Sequence, residues 1–175
     1  MLIRSFIAAP VPDDEAIKIM RYIRETGAIL RNRDYKWATR DQLHITLKFL
    51  GEQNPEIIER VKNALDEINF EPFEIAFNKL ETFAGVVCLS CENKNMAVLA
   101  KNINAKVFEH AELEIDRRKF KTHITLARLK QRRFPTPDEM NLLLENPPEV
   151  KWTCGEIFLM KSKLTPEGAI YTRLY

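Results

Sequence analysis

Cysteine is scarce in this chain of 175 residues, and three is an odd number, which argues against a disulfide framework. Cys88 and Cys91 form a C-x-x-C, but they lie in a strand-like run, not at a helix start, and have no second pair. Neither a redox dithiol nor a zinc site is expected of them. No apolar run reaches the length of a membrane-spanning helix. The first ten residues lack the charged-then-apolar pattern of a signal peptide, so cytoplasmic residence is the default expectation. A net charge of only +2 is too small to argue for nucleic acid from the total. Glycine is limited to five residues and no Gly/Ser-rich linker interrupts the chain, so residues 1–175 are expected to fold as a single bilobal domain, a monomer by default.

Histidine is equally rare, at three residues, and here scarcity is informative. His44-Ile45-Thr46-Leu47 recurs as His123-Ile124-Thr125-Leu126. Both copies stand inside apolar, strand-like runs. Residues two apart on a strand share a face, so each copy offers a polar face of His and Thr and a buried face of Ile and Leu. Side by side, two such strands would bring two imidazoles and two hydroxyls to one pocket. The third histidine, His110, ends a helical run without a threonine partner and reads as a surface residue favoured by the helix C-terminus.

Two imidazoles with ordinary pKa values of about 6.5 can divide acid and base work at neutral pH. One removes a proton from an attacking hydroxyl or water and the other gives a proton to a leaving oxygen. Two threonine hydroxyls can hold the non-bridging oxygens of a phosphate. The set requires no metal, nucleophilic side chain or organic cofactor, and in-line displacement at phosphorus suits it better than acyl transfer. A histidine-based metalloenzyme is disfavoured because His-x-Thr brings no carboxylate or closely spaced second histidine. A non-catalytic binding module has no need of two titratable rings.

These motifs resemble those of the 2H phosphoesterases, named for two His-x-Thr motifs, and within them the RNA 2′,3′-cyclic phosphodiesterases, formerly 2′-5′ RNA ligases. The resemblance extends over Arg4–Ala8, Trp37, Asp41–Gly51, Phe120–Arg128 and the ending from Leu159 to Tyr175, with Ser162, Leu164, Gly168 and Tyr171. One departure is visible: Thr122 stands where members commonly carry proline, which restores a backbone donor and frees φ. The resemblance implies an α+β, bilobal fold, with two mainly antiparallel sheets flanking a central cleft, helices outside and an internal pseudo-twofold. It implies that His44 is the general acid for the leaving 3′ oxygen, that His123 is the general base for water, and that Thr46 and Thr125 hold the cyclic phosphate of an RNA 3′ end. The product would be a 2′-phosphate. The sequence by itself does not assign acid and base between the two histidines, and 2′-5′ ligation or its reversal by the same site is an alternative.

Phe49 and Arg128 each stand five residues after their motif histidine. In the family such a pair resembles a sandwich for the terminal base, a sequence-tolerant contact worth about 1–3 kcal/mol. Strict alternation puts both on the face opposite the histidines, so the strands must bend or end before them. Arg117, Arg118, Lys119 and Lys121 precede the second motif, and Arg128, Lys130, Arg132 and Arg133 follow its histidine. That flank is either a path for an RNA backbone or an ordinary solvated face.

Periodicity predicts strands near 2–9, 35–39, 43–50, 73–83, 86–91, 121–129, 155–164 and 169–174. Helices are predicted from Asp13 to Leu30, after Pro55, from Asn95 to Glu109 and from Pro137 to Leu144. Their buried stripes are expected to include Ile17, Met20 and Ile23 in the first, Ile57, Ile58, Val61, Leu65 and Ile68 in the second, and Val98, Leu99, Ile103 and Val107 in the third. A break is predicted from Gly51 to Pro55, and turns at Ala84-Gly85 and at Thr165-Pro166-Glu167-Gly168.

Overall fold

The computed structural model describes residues 1–30, 34–83, 85–130, 135–166 and 168–175. In chain order it has β1 (Ile3–Pro10), α1 (Asp13–Ile29), β2 (Tyr35–Trp37), a single 3-10 turn (Arg40–Gln42), β3 (His44–Gln53) and α2 (Pro55–Asp66). β4 (Phe73–Phe77), β5 (Lys79–Phe83), β6 (Val86–Cys91), α3 (Lys94–Ala111) and β7 (Thr122–Leu129) follow, then α4 (Pro137–Leu144), β8 (Val150–Cys154), β9 (Phe158–Leu164) and β10 (Ala169–Arg173). The fold is α+β, as expected. Within the predicted turns, Ala84 and Glu167 fall outside the described residues.

Strands pair antiparallel in the order β10-β9-β1-β3-β7-β6-β5, with β2 beside β7. β3 and β7, the two motif strands, meet at one registered pair, Ile45 with Ile124. That pair joins two antiparallel lobes, β10-β9-β1-β3 on one side and β7-β6-β5 on the other. Both isoleucines are fully buried, and each such side chain contributes roughly 1.5–3 kcal/mol of apolar burial.

The helix starts follow local chemistry. Asn54 accepts a hydrogen bond from the Ile57 amide at 2.9 Å ahead of Pro55, and Asn93 does the same for Met96 at 2.9 Å. Thr136 and Glu139 form a reciprocal capping box at α4. α1 opens with Asp13, Asp14 and Glu15 at its positive end. α2 buries Ile58, Val61, Ala64 and Leu65, and packs against α3, which covers β3 with Leu99, Ile103 and Val107.

Some expectations are corrected. Ile17 and Val98 are more than half exposed, because Ala16, Ile19 and Tyr22 on α1 and Met96 and Ala100 on α3 fill the inward stripes. The run 73–83 divides at Asn78 into β4 and β5, which belong to different sheets. β4 pairs instead with β8, a strand that periodicity does not predict, whose Val150 and Cys154 face inward. β3 continues through Gly51, which takes φ +72°, where the sequence predicts a break. No helix among the described residues is long and apolar enough to cross a membrane.

Candidate active site

The two motif strands carry the same burial string. From His44 to Leu50 and from His123 to Leu129 the sequence is half-buried, buried, half-buried, buried, buried, exposed, buried. The double buried step is a β-bulge in both. Opposite β1, the register passes from Ala8–Thr46 to Ile7–Lys48, leaving Leu47 over; opposite β6, it passes from Cys88–Thr125 to Val87–Ala127, leaving Leu126 over. One extra residue reverses the alternation beyond it. Phe49 and Arg128 are thereby returned to the face of the histidines. The bend that alternation demanded is therefore a matched pair of bulges. Phe49 is 63% exposed and so is not part of the core.

Antiparallel pairing at Ile45–Ile124 implies that His44 comes opposite Thr125, and Thr46 opposite His123. The four polar side chains surround a local twofold running through the isoleucine pair. All of them, with Phe49 and Arg128, line one cleft of about 500 Å³, within the usual range for a small-ligand site. Its other walls include Arg4, Phe6, Lys36, Gln42, Ser162 and Tyr171. The candidate residues, far apart in sequence, are thus brought together.

Each histidine is held by the carbonyl two residues before it. His44 Nδ1 lies 2.8 Å from the Gln42 carbonyl oxygen, and His123 Nδ1 lies 2.8 Å from that of Lys121. These carbonyls can only accept, so Nδ1 carries the proton in both rings, and Nε2 is the unprotonated nitrogen of the neutral form. His44 Nε2 is 3.0 Å from Thr46 Oγ1. Gln42 is fixed in turn by its own side-chain amide, which donates to the Ala169 carbonyl at 2.7 Å.

Aromatic neighbours complete the placement. Phe6 lies 4.8 Å from the His44 ring and Tyr171 meets it edge-on at 5.2 Å. Phe83 meets His123 edge-on at 5.2 Å. Burial pushes His44 down to about 4, opposed by the bond to Gln42 and assisted by the positive charges of His123 and Arg128. Burial also lowers His123; the Lys121 carbonyl opposes this, the charges of Lys121 and Arg128 add to it, and Glu81 offsets part of it. Gln42, Phe6 and Phe83 are not singled out by the sequence. Gln42 meets the ring through a backbone carbonyl, for which residue type carries no signal, and the two phenylalanines stand in strand-like runs with nothing to mark them as neighbours of a histidine.

The remaining candidates take no part in the cleft. His110 stands in the last turn of α3 and bonds Glu67 at 3.0 Å. Glu67 and Glu109 lie close enough to His110 to suggest a cation site, but the Lys106 ammonium bonds both, at 2.6 and 3.0 Å. Cys88 is buried and Cys91 half-buried, and burial pushes their thiols up to about 12 and about 11, far from reactive thiolates. In the basic flank, Arg118 is paired with Asp116, and Lys121 with Glu81 at 2.5 Å. Arg132 and Arg133 lie outside the described residues.

An all-antiparallel, bilobal sheet with a His-x-Thr motif on each central strand defines a 2H-type phosphoesterase. A family model, the 2′-5′ RNA ligase superfamily, matches residues 11–165, and the chain belongs to that family. It is 29% identical to an RNA 2′,3′-cyclic phosphodiesterase of Archaeoglobus fulgidus, over 98% of this chain and 97% of that protein. It is 25% identical to one of Methanocaldococcus jannaschii, over 96% of each chain. Among solved structures, E. coli LigT complexed with 3′-AMP is similar with a TM-score of 0.77 at 19% identity, covering 99% of this chain and 95% of that one. The protein TT0787 of Thermus thermophilus is similar with a TM-score of 0.72 at 26% identity, covering 99% and 96%.

Proposed function

We propose that this phosphoesterase hydrolyses RNA 2′,3′-cyclic phosphate ends to 2′-phosphomonoesters by two-histidine acid–base catalysis, without a metal. The observation that carries the reading is the convergence of His44, Thr46, His123 and Thr125 about one local twofold, with Nδ1 of each ring tied to a carbonyl. The names of the relatives supply the substrate class.

In this reading the terminal base lies between Phe49 and the Arg128 guanidinium, and the cyclic phosphate lies over the Ile45–Ile124 pair. Thr46 and Thr125 donate hydroxyl protons to its non-bridging oxygens. His123 Nε2 takes a proton from a water that attacks phosphorus in line, and the P–O3′ bond breaks. His44 Nε2 gives its proton to the departing 3′ oxygen. His44 is largely neutral at pH 7 in the open cleft. An anionic phosphate against its ring favours the imidazolium, so substrate binding itself supplies the acid. No step uses a metal or a covalent intermediate.

Product identity tests this directly. Incubation with an oligoribonucleotide bearing a 2′,3′-cyclic phosphate, followed by separation of the positional isomers, is expected to give a 2′-phosphate end. A 3′-phosphate, or an unchanged ring, would reject the proposed direction of opening.

A further inference from the structure

Lys48 lies between the first motif's threonine and Phe49, at the bulge of β3, yet its side chain runs away from the cleft. It is 5% exposed. Its ammonium donates to Asn104 Oδ1 on α3 at 2.8 Å and to the Glu114 carbonyl at 2.7 Å. Asn104 is itself buried; its amide donates to the Ala100 carbonyl at 2.9 Å, and its Oδ1 also receives the Asp116 amide at 3.2 Å. Asp116 is close enough to support the charge on Lys48, and it grips Arg118 through paired bonds at 2.5 and 2.9 Å.

The destination of these bonds matters more than their number. Residues 112–121 have no helix or strand, and they lead from the end of α3 directly into β7 and His123. Glu112 starts this segment in the left-handed region at φ 56°. Its far end is held by Lys121 on Glu81, and its middle by the Lys48–Asn104 group. β3 and β7 share a single registered backbone pair. A ladder of one pair fixes the spacing of two strands but only weakly their mutual rotation. The corresponding bulge of the second repeat carries Ala127 in this place, so the connection runs one way, from the first motif to the lead-in of the second.

A buried lysine is costly to keep, and a packed apolar residue would fill the same space without that cost. What the lysine adds is a directed contact to a backbone carbonyl in an otherwise irregular segment. We infer that Lys48 is a positioning residue that sets the second motif, His123 and Thr125, against the first by strapping segment 112–121 to β3 through Asn104 and Glu114. The inference rests on the two-histidine reading for its effect on turnover, but its structural half stands apart from it.

The test compares Lys48→Met, Asn104→Ala and the double variant on an oligoribonucleotide with a 2′,3′-cyclic phosphate end, alongside amide hydrogen exchange. Misplacement of a reacting group by about 1 Å costs on the order of 100-fold, so kcat for Lys48→Met should fall between about 10- and 100-fold. KM should rise by less than kcat falls, because Phe49 and Thr46 keep their places on β3 while Thr125 and Arg128 shift with β7. Exchange of the Asp116 and Arg118 amides, which donate to Asn104 Oδ1 and Asp116 Oδ1, should accelerate at least about tenfold while β1 stays protected. The double variant should be little worse than Lys48→Met, since both remove one connection. Faster exchange with unchanged kcat would overturn the positioning role, as would unchanged exchange or a loss confined to KM. Asn104→Ala keeps the Glu114 bond and gives the same readouts in milder form if Lys48→Met does not fold. A failure of the two-histidine reading would show instead as wild-type turnover in His44→Ala, with the exchange result unaffected.

Discussion

At the scale of single residues, the two histidines are alike in sequence and unlike in setting. His44 is walled by Phe6 and Tyr171, whereas His123 has Phe83 on one side and the Lys121–Glu81 ion pair close by. Burial lowers both, His44 to about 4. Because kcat/KM reports the free enzyme and kcat the complex, kcat/KM should peak on the acid side of pH 6.5, between two depressed values. The kcat optimum should lie higher, since the bound phosphate raises both. Steady-state pH profiles check this, and a kcat/KM maximum above pH 7.5 would contradict the electrostatics described. Arg128 is exposed at the cleft rim, and the proposed mechanism gives it no part in proton transfer. Arg128→Ala should therefore chiefly raise KM, by about 5- to 150-fold if it removes a base contact of 1–3 kcal/mol, as measured on the same oligonucleotide.

At the scale of elements, the decisive feature is a pair of bulges. The sequence shows His and Thr two apart, and from that alone the shared face is legible, as is the burial of Ile45, Leu47, Ile124 and Leu126. The return of Phe49 and Arg128 to that face is not. A bulge is an event of pairing with a neighbouring strand, here β1 and β6, and the bulged residues Leu47-Lys48 and Leu126-Ala127 look ordinary in a single chain. β8 escapes the sequence for a related reason. Val150-Lys151-Trp152-Thr153-Cys154 is short, and its partner β4 lies far back in the chain, so no local hairpin signal announces it. Helix boundaries are easier, because Asn54, Asn93 and Thr136 act on amides three residues away. Ile124→Ala tests the importance of the central pair. It should cost about 2–5 kcal/mol in chemical denaturation and lower kcat as well, because the cavity opens beneath the phosphate position. A fully buried substitution away from the motif strands, such as Ile75→Ala on β4, should leave kcat unchanged.

At the scale of the whole molecule, two antiparallel lobes meet at one pair of isoleucines, and the cleft lies on the polar side of that junction. The repetition of the tetrapeptide makes this arrangement readable before any coordinates, because two matched strands with one polar face each have few ways to pair. The flanking walls are not readable in the same way. Tyr171 and Gln42 reach the cleft from β10 and from the 3-10 turn, elements whose places are set by the sheet order. The central claim is that two histidines, with no metal, open a cyclic phosphate. The most direct test is turnover of an oligoribonucleotide ending in a 2′,3′-cyclic phosphate, in excess EDTA, by the wild type, His44→Ala and His123→Ala. Full wild-type activity is predicted, with a loss of at least about 100-fold in each variant and circular dichroism unchanged. Abolition of wild-type turnover by EDTA, or wild-type rates in both variants, would contradict it.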